Sequence, residues 1–345
     1  MKDGAGSKFE IFSLKQSLRK TLALNLILGE SKIIKDLRRK IECLSESDAN
    51  VLITGESGTG KEPTARGIHY LSSRSTKPFV PVNCGAIPES LFENELFGHV
   101  KGAFTDARYQ QNGLIGEASG GTLFLDEVGV ITPYIQVKLL RLLQDKEYKP
   151  LGDNLSRKAN IRIIAATNEN LKELVQKGTF REDLYYRLDI VSFNIPPLRE
   201  RVDDIPILAH HFVEKFSHLY CKPVRGISAG AMEKLVSYHW PGNVRELENK
   251  IQQAIVMTNG EIIDVHDLQL YMERTITHID YLENFNQAKR KFIYAFEKNY
   301  LINLLTRFNG DVVTAATTAG KSRTAFWNLL ARHQLNPRHF SQGST

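Results

Sequence analysis

The chain has 345 residues, and its 45 Lys+Arg against 39 Asp+Glu give a formal charge of +6 and a pI of about 9.0. Its 42% hydrophobic and 24% charged content excludes wholesale disorder, and no apolar run approaches the ~18 residues of a membrane helix. Residues 281–345 hold 9 Lys/Arg and 3 Asp/Glu, so the whole formal excess sits at one end, where it points to a module that meets a polyanion.

Met1–Glu10 is polar and lacks the apolar core of a secretory signal. Cys43, Cys84 and Cys221 are far apart and odd in number, which argues against a disulfide framework, against a metal cluster and for the reducing cytoplasm. From Glu30 to Leu44, Ile33, Ile34, Leu37, Ile41 and Leu44 recur at helical spacing. Short apolar runs follow at Val51–Thr54, Phe79–Val82, Thr122–Leu125, Ile161–Ala166 and Ile190–Phe193. Most are apolar on both alternating faces, as in strands buried on both sides of a parallel sheet. Helical patterns such as Tyr134–Gln144 lie between them, so the class is α/β. After Ile195-Pro196-Pro197 the strand signals stop, and residues from about Asp203 to Tyr271 read as a smaller helical subdomain. From Ala288 to Phe308 a long helix is expected, with Phe292, Phe296, Tyr300, Leu304 and Phe308 on one stripe.

The strongest local signal is Gly55-Glu56-Ser57-Gly58-Thr59-Gly60-Lys61-Glu62, after a strand and before the helical pattern Thr64–Leu71. Glycines let consecutive backbone N–H groups point at phosphate oxygens, the helix N-terminus adds positive potential, and Lys61 reaches the outer phosphates. Glu62 stands where Ser or Thr usually holds magnesium, so the metal needs another ligand. Pro63 is tolerated in the first helical turn, and it either leaves nucleotide binding unchanged or weakens it by removing a donor.

The strand Thr122–Leu125 ends in Asp126 and Glu127. Strand C-termini open onto the ligand crevice of such sheets. Asp126 is the candidate magnesium ligand, and Glu127 can take a proton from an attacking water. Asn168, at the end of the run Ile163–Thr167, can orient that water or read a γ-phosphate. Arg181 and Arg187 lie six apart and by themselves read as surface salt bridges.

These residues carry a resemblance. GESGTGKE (55–62), ELFGHVKGAFTDA (95–107), GGTLFLDEV (120–128), FREDLYYRLDI (180–190), PLRERVDDIP (197–206) and WPGNVRELEN (240–249) resemble the bacterial enhancer-binding proteins, AAA+ ATPases that activate sigma-54 RNA polymerase. The similarity runs from about Leu28 to Tyr271 and resumes near Asn309. It implies an AAA+ P-loop NTPase fold with a parallel sheet, a helical lid and an all-α DNA-binding domain, and ATP with Mg2+ as cofactors. It implies nucleotide bound between subunits of a ring, a hexamer. By position Gly58, Gly60 and Lys61 match Walker A, and Asp126 and Glu127 match Walker B. Asn83 matches an Asn that restrains the Walker B Glu, Asn168 matches sensor I, Arg181 and Arg187 match arginine fingers, and Arg245 matches the sensor II arginine. The sigma-54 contact loop of the family, GAFTGA, corresponds to Gly102-Ala103-Phe104-Thr105-Asp106-Ala107, with Asp106 in place of a Gly. Asp tolerates left-handed backbone less freely than Gly and adds negative charge at the tip, and the reading is a tolerated variant. The alternative is an AAA+ regulator whose loop acts on another target.

Residues Asp311–Leu335 fit a helix–turn–helix. Asp311 caps one helix, Gly320 makes the turn, Ser322 caps the next, and Phe326, Leu329 and Leu330 face the core. This resembles a Fis-type domain. Ser322, Arg323, Thr324, Trp327 and Asn328 lie early on the second helix, where base contacts occur, while Lys321, Arg332 and Arg338 suit phosphate on double-stranded DNA. A three-helix cap used for dimerisation is the other reading.

The expected domains are a short segment 1–25, an ATPase subdomain 26–198, a lid 199–271, a linker 272–287 and a DNA-binding domain 288–345. The first 25 residues are too few for a sensor domain. Regulatory input therefore comes from a separate regulatory protein or from a sensor the chain has lost. No membrane partner is expected.

Overall fold

The computed structural model describes residues 23, 26–44, 47–105, 107–258, 260–270, 284–333 and 335–337. Most of the expected segment 1–25 and of the expected linker 272–287 lies outside the described residues. The chain divides into two compact units, residues 1–269 and 270–345.

The first unit is built on a parallel sheet. Its strands are β1 (Val51–Thr54), β2 (Phe79–Asn83) and β3 (Thr122–Asp126), then, after a short antiparallel hairpin of β4 (Glu147–Tyr148) and β5 (Arg157–Lys158), β6 (Arg162–Thr167) and β7 (Val191–Asn194). The order is β2-β3-β6-β1-β7, with every pair parallel. Each strand begins or ends within a residue of the apolar run that announced it. The central strands β1, β3 and β6 are almost wholly buried because both of their faces are covered. Pro81 sits in β2 at the sheet edge, where a missing N–H is tolerated.

The covering helices are α1 (Lys32–Cys43), α2 (Lys61–Leu71), α3 (Glu89–Phe97), α4 (Gly113–Glu117), α5 (Pro133–Asp145), α6 (Leu171–Gln176) and α7 (Glu182–Leu188). Alternation along β3 sorts them by face. Leu123 and Leu125 pack with Leu96, Leu139 and Leu188 on one side, and Phe124 packs with Ile34, Ile41 and Ile68 on the other.

The lid follows as α8 (Ile205–Leu219), α9 (Ala229–Ser237) and α10 (Asn243–Met257). The lid was expected to be helical throughout, yet it also holds a short parallel pair, β8 (Gly226–Ile227) with β9 (Ile262–Ile263), too brief to leave a periodic signal. Trp240 is fully buried and donates from its indole nitrogen to the Leu235 carbonyl (2.8 Å).

In the second unit α11 (Phe285–Arg307), α12 (Val312–Thr318) and α13 (Arg323–Arg332) share a core of Leu301, Leu304, Leu305, Ala315, Phe326 and Leu330. Helix α11 starts inside the expected linker because Asn284 Oδ1 accepts from the Asn286 N–H (3.1 Å). Asp311 accepts from the Val313 and Thr314 N–H groups, and Ser322 from that of Ala325, so both helix starts are capped as anticipated. The aromatic stripe divides. Leu304 is buried and Phe308 packs on the core, while Phe292, Phe296 and Tyr300 are 36%, 60% and 41% exposed. Helices α12 and α13, of 7 and 10 residues, are too short to cover the 23 residues of α11.

One buried carboxylate ties the start of the first unit to its lid. Asp204, just ahead of α8, accepts from the Glu30 and Ser31 N–H groups (2.7 Å each) and from the Ser31 hydroxyl (2.8 Å). Removing it leaves buried donors unpaired. Asp204→Ala is expected to lower stability by about 3 kcal/mol, read as a lower urea midpoint, with Asp204→Asn intermediate.

Candidate functional site

The loop between β1 and α2 curls so that Gly58 and Gly60 take left-handed backbone, at φ +76° and +104°. A Cβ on Gly58 would lie 2.4 Å from the Gly242 carbonyl oxygen, so only glycine lets the loop pass this close to the lid. No side chain caps the N-terminus of α2. The buried Lys61 donates from Nζ to the Gly55 (2.9 Å) and Glu56 (3.0 Å) carbonyls. Burial holds its pKa below the ordinary lysine value, against the pull of Asp126 and Glu127. An uncapped helix start beside a buried ammonium is a cradle for phosphate. Glu62 turns along its own helix to Arg66 (2.7 and 2.9 Å).

The two carboxylates lie at the C-terminal end of β3. Asp126 Oδ1 accepts from the Glu127 N–H (3.0 Å), and Glu127 is left-handed at φ +58°. This bend carries the Glu127 carboxylate over Gly85, where a Cβ would sit 2.3 Å from Oε2. Asn83 is in register with Asp126 and accepts from the Gly85 and Ala86 N–H groups (2.9 and 3.1 Å). Its side-chain oxygen thus bonds its own loop, next to Glu127. Burial, reinforced by Asp126 and Glu127, pushes the Cys84 thiol up to about 12. Asn168 is exposed after β6 and shares a crevice with Gly55, Glu56 and Arg199.

Arg181 and Arg187 flank and close α7, and both are exposed. Arg181 pairs with Asp183 (2.7 and 3.0 Å), and its N–H donates to the buried Gln136 (2.8 Å). Gln136 in turn donates to the Ile131 and Thr179 carbonyls (2.9 Å each), pinning the start of α7 to the segment that leaves Glu127. Arg245 donates to the Ser57 hydroxyl (3.2 Å), and the Val244 and Arg245 N–H groups meet the Gly58 carbonyl (2.9 and 3.3 Å).

Several contributors were not singled out from sequence. Arg199 forms a two-point pair with Glu56 (2.6 and 2.9 Å). That contact, with Asn243, holds the Glu56 carboxyl down to about 2. Arg201 is buried and donates to the Thr59 carbonyl (2.7 Å). A cavity of about 350 Å³ opens beside the loop, with Leu26, Ile27, Pro63, Leu208 and Phe212 on its walls. Arg199 and Arg201 lie in a densely charged exit from the sheet, Leu198-Arg199-Glu200-Arg201, where no local pattern marks partners that lie across the fold.

The loop after α3 is closed by Gly102 N–H to the Ala107 carbonyl (2.8 Å) and Ala107 N–H to the Phe104 carbonyl (3.0 Å). Ala103 is half-buried, Ala107 is buried and Thr105 is exposed. Phe104 is 44% exposed, with its ring 5.0 Å from that of His99. Asp106 lies outside the described residues. In the second unit Lys321, Ser322, Arg323, Thr324, Trp327, Asn328 and Arg332 are all exposed, and Arg332 lies 3.8 Å from Glu297. Arg338 lies outside the described residues. No described helix is long and apolar enough to cross a membrane.

Residues 27–194 match the Sigma-54 interaction domain, and residues 199–280 match the AAA+ ATPase lid domain. The chain is 44% identical to the transcriptional regulatory protein GlrR of Escherichia coli, over 92% of this chain and 70% of that protein. It is 42% identical to the regulatory protein AtoC of the same organism, over 96% of this chain and 72% of that protein. Among solved structures, NtrX from Brucella abortus in complex with ATP superposes with a TM-score of 0.65 at 34% identity, over 89% of this chain and 69% of that one. The ADP complex of NtrX gives 0.66 at 33% identity, over 96% and 75%. With both domains matched and this identity to GlrR over 70% of its length, the chain belongs to the sigma-54-dependent transcriptional regulators, a family of AAA+ ATPases.

Proposed function

We propose that this ATPase binds upstream DNA and uses ATP hydrolysis in a ring to remodel the closed complex of sigma-54 RNA polymerase into the open one. The carrying observation is the convergence of Lys61, Asp126 and Glu127 at one end of the sheet, under a lid whose Arg245 reaches the same loop.

In this reading the N–H groups of the loop from Gly55 to Glu62 and Lys61 hold the phosphates, and the apolar cavity beside Pro63 holds the base. Among the described residues no three His, Cys, Asp or Glu side chains form a metal cage. Asp126, at the strand end facing the loop, would hold Mg2+, which would offset the negative charge of the phosphates. Glu127 takes the proton of the attacking water as the bond to the γ-phosphorus forms and the bond to the leaving diphosphate breaks. Asn168 orients that water. Asn83 sits where a turn of its amide engages the Glu127 carboxylate and holds it back. Arg181 and Arg187, exposed on α7, serve the nucleotide of a neighbouring subunit, with a hexamer as the family expectation. Phe104 and Thr105, on a loop closed by its own hydrogen bonds, contact sigma-54, and an exposed aromatic at a loop tip calls for such a partner. The second unit reads double-stranded DNA with the exposed start of α13 from Ser322 to Asn328, and Lys321 and Arg332 meet phosphate.

Lys61→Ala is expected to abolish binding of a fluorescent ATP analogue. Glu127→Gln should keep binding and lower turnover by at least roughly 100-fold, and wild-type turnover in that variant would remove Glu127 from its role. Open-complex formation with sigma-54 holoenzyme tests the loop. Success is expected with the native chain, whereas failure that Asp106→Gly reverses would direct the native loop to another target. Raising salt from about 50 to 200 mM should weaken DNA binding steeply. Arg323→Ala should relax base preference by roughly 1–3 kcal/mol at a single position, and a flat salt response would contradict the assignment.

A further inference from the structure

Glu56 has two ends with two partners. Its backbone carbonyl accepts from Lys61 Nζ (3.0 Å) and from the Thr59 hydroxyl (2.9 Å). Its carboxylate accepts from both terminal nitrogens of Arg199 (2.6 and 2.9 Å) and from Asn243 Nδ2 (3.1 Å). Arg199 lies in the segment that leaves the sheet for the lid, and Asn243 begins α10.

Asn243 is a knot. It is fully buried and left-handed at φ +54°, a backbone that Asn adopts more readily than other side chains. Its Nδ2 also donates to the Ser57 carbonyl (3.0 Å), and its Oδ1 accepts from the Leu198 N–H (2.8 Å). One side chain therefore joins the phosphate loop, the exit from the sheet and the root of the lid.

We propose that Glu56, Arg199 and Asn243 are positioning residues that transmit the state of the phosphate loop to the angle of the lid. The inference rests on the ATP-binding reading above. In the structure Lys61 is committed to the Gly55 and Glu56 carbonyls. When Lys61 turns to a phosphate it releases them, and the Glu56 carbonyl keeps only its bonds from the Thr59 hydroxyl and N–H, so the Glu56 peptide rotates together with Thr59. The Glu56 carboxylate stays bound to Arg199 and Asn243, so rotation of the peptide moves the base of the lid.

The test places a second carboxylate in the knot. In Asn243→Asp the new acid faces Glu56 at the distance of the present hydrogen bond. The other charges around it are Arg245 and Glu246 on α10, Lys61 across the loop, and Glu200 beside Arg199. Glu246 is engaged by the Gly242 N–H (2.8 Å) and the Tyr238 hydroxyl (3.2 Å), and Arg245 by the Ser57 hydroxyl. Two facing acids share a proton when acidified and repel when both are ionised.

With the full chain and a fluorescent ADP analogue, the wild type sets the reference affinity at pH 5.5 and at pH 8, with Glu56 ionised at both. Asn243→Asp should bind roughly tenfold more weakly at pH 8 and recover at pH 5.5, since one pK unit of coupling corresponds to a factor of about ten. Adding Glu56→Gln should restore binding at pH 8. A defect of Asn243→Asp that does not arise from the two facing carboxylates would respond neither to acid nor to the second substitution. Wild-type affinity in Asn243→Asp at pH 8, or a loss that neither acid nor Glu56→Gln reverses, overturns the proposal. Failure of the wild type itself to bind the analogue would instead remove the nucleotide reading, so the two failures are distinct.

Discussion

The architecture of the first unit hangs on one close approach, that of the Gly58 carbonyl to the first turn of α10. The Val244 and Arg245 N–H groups meet that carbonyl, and a single added carbon on Gly58 would collide with Gly242. A helix N-terminus with unpaired donors is thereby seated on the loop that also forms the phosphate cradle. The sheet sets the position of the loop, because the exits of β1, β3 and β6 are neighbours in a parallel order. The lid contributes the opposite wall. Neither subdomain contains the site alone, and the junction between them is satisfied by backbone groups and by the side chains of Asn243, Arg199, Arg201, Arg245 and Asp204.

Legibility in the sequence followed the reach of each interaction. The central strands were readable because burial on both faces leaves an unbroken apolar run. The phosphate loop and the acidic end of β3 were readable because their chemistry is contiguous. Asp204, Asn243, Arg199 and Gln136 were not, since each finds its partner across the fold. Asp204 acts 173 residues from Ser31, and Asn243 acts 187 from Glu56. Nothing in the local pattern of a polar side chain states which distant backbone group it meets. The β8–β9 pair escaped for a different reason, as two residues make no period. The stripe on α11 was read correctly as apolar, and its exposure at Phe292, Phe296 and Tyr300 follows from the lengths of the two helices that cover it.

Charge separates the two units. Residues 281–345 carry the whole formal excess, while the 280 before them are balanced. The balanced unit surrounds its anion site with backbone donors and a few paired cations: Arg199 on Glu56, Arg66 on Glu62 and Arg181 on Asp183. Such pairing offsets these cations, while Lys61 donates to the backbone carbonyls of the loop. In the second unit the exposed start of α13 is lightly charged, with Arg323 the basic residue of its first turn. The net positive charge of this unit and the exposed start of α13 thus rest largely on different residues.

Asp204 has a consequence for the cavity beside the loop. It holds Glu30 and Ser31 to the root of α8, while Leu26 and Ile27 just before them line the cavity opposite Leu208 and Phe212. The lid supplies Leu208 and Phe212 to the cavity wall, whereas Ile27 packs with Ile34, Ile53 and Ile68 in the core of the sheet side. The floor, at Thr59, Gly60 and Pro63, belongs to the sheet side as well. A swing of the lid therefore changes the width of the cavity and pulls on the Asp204 tether in the same movement.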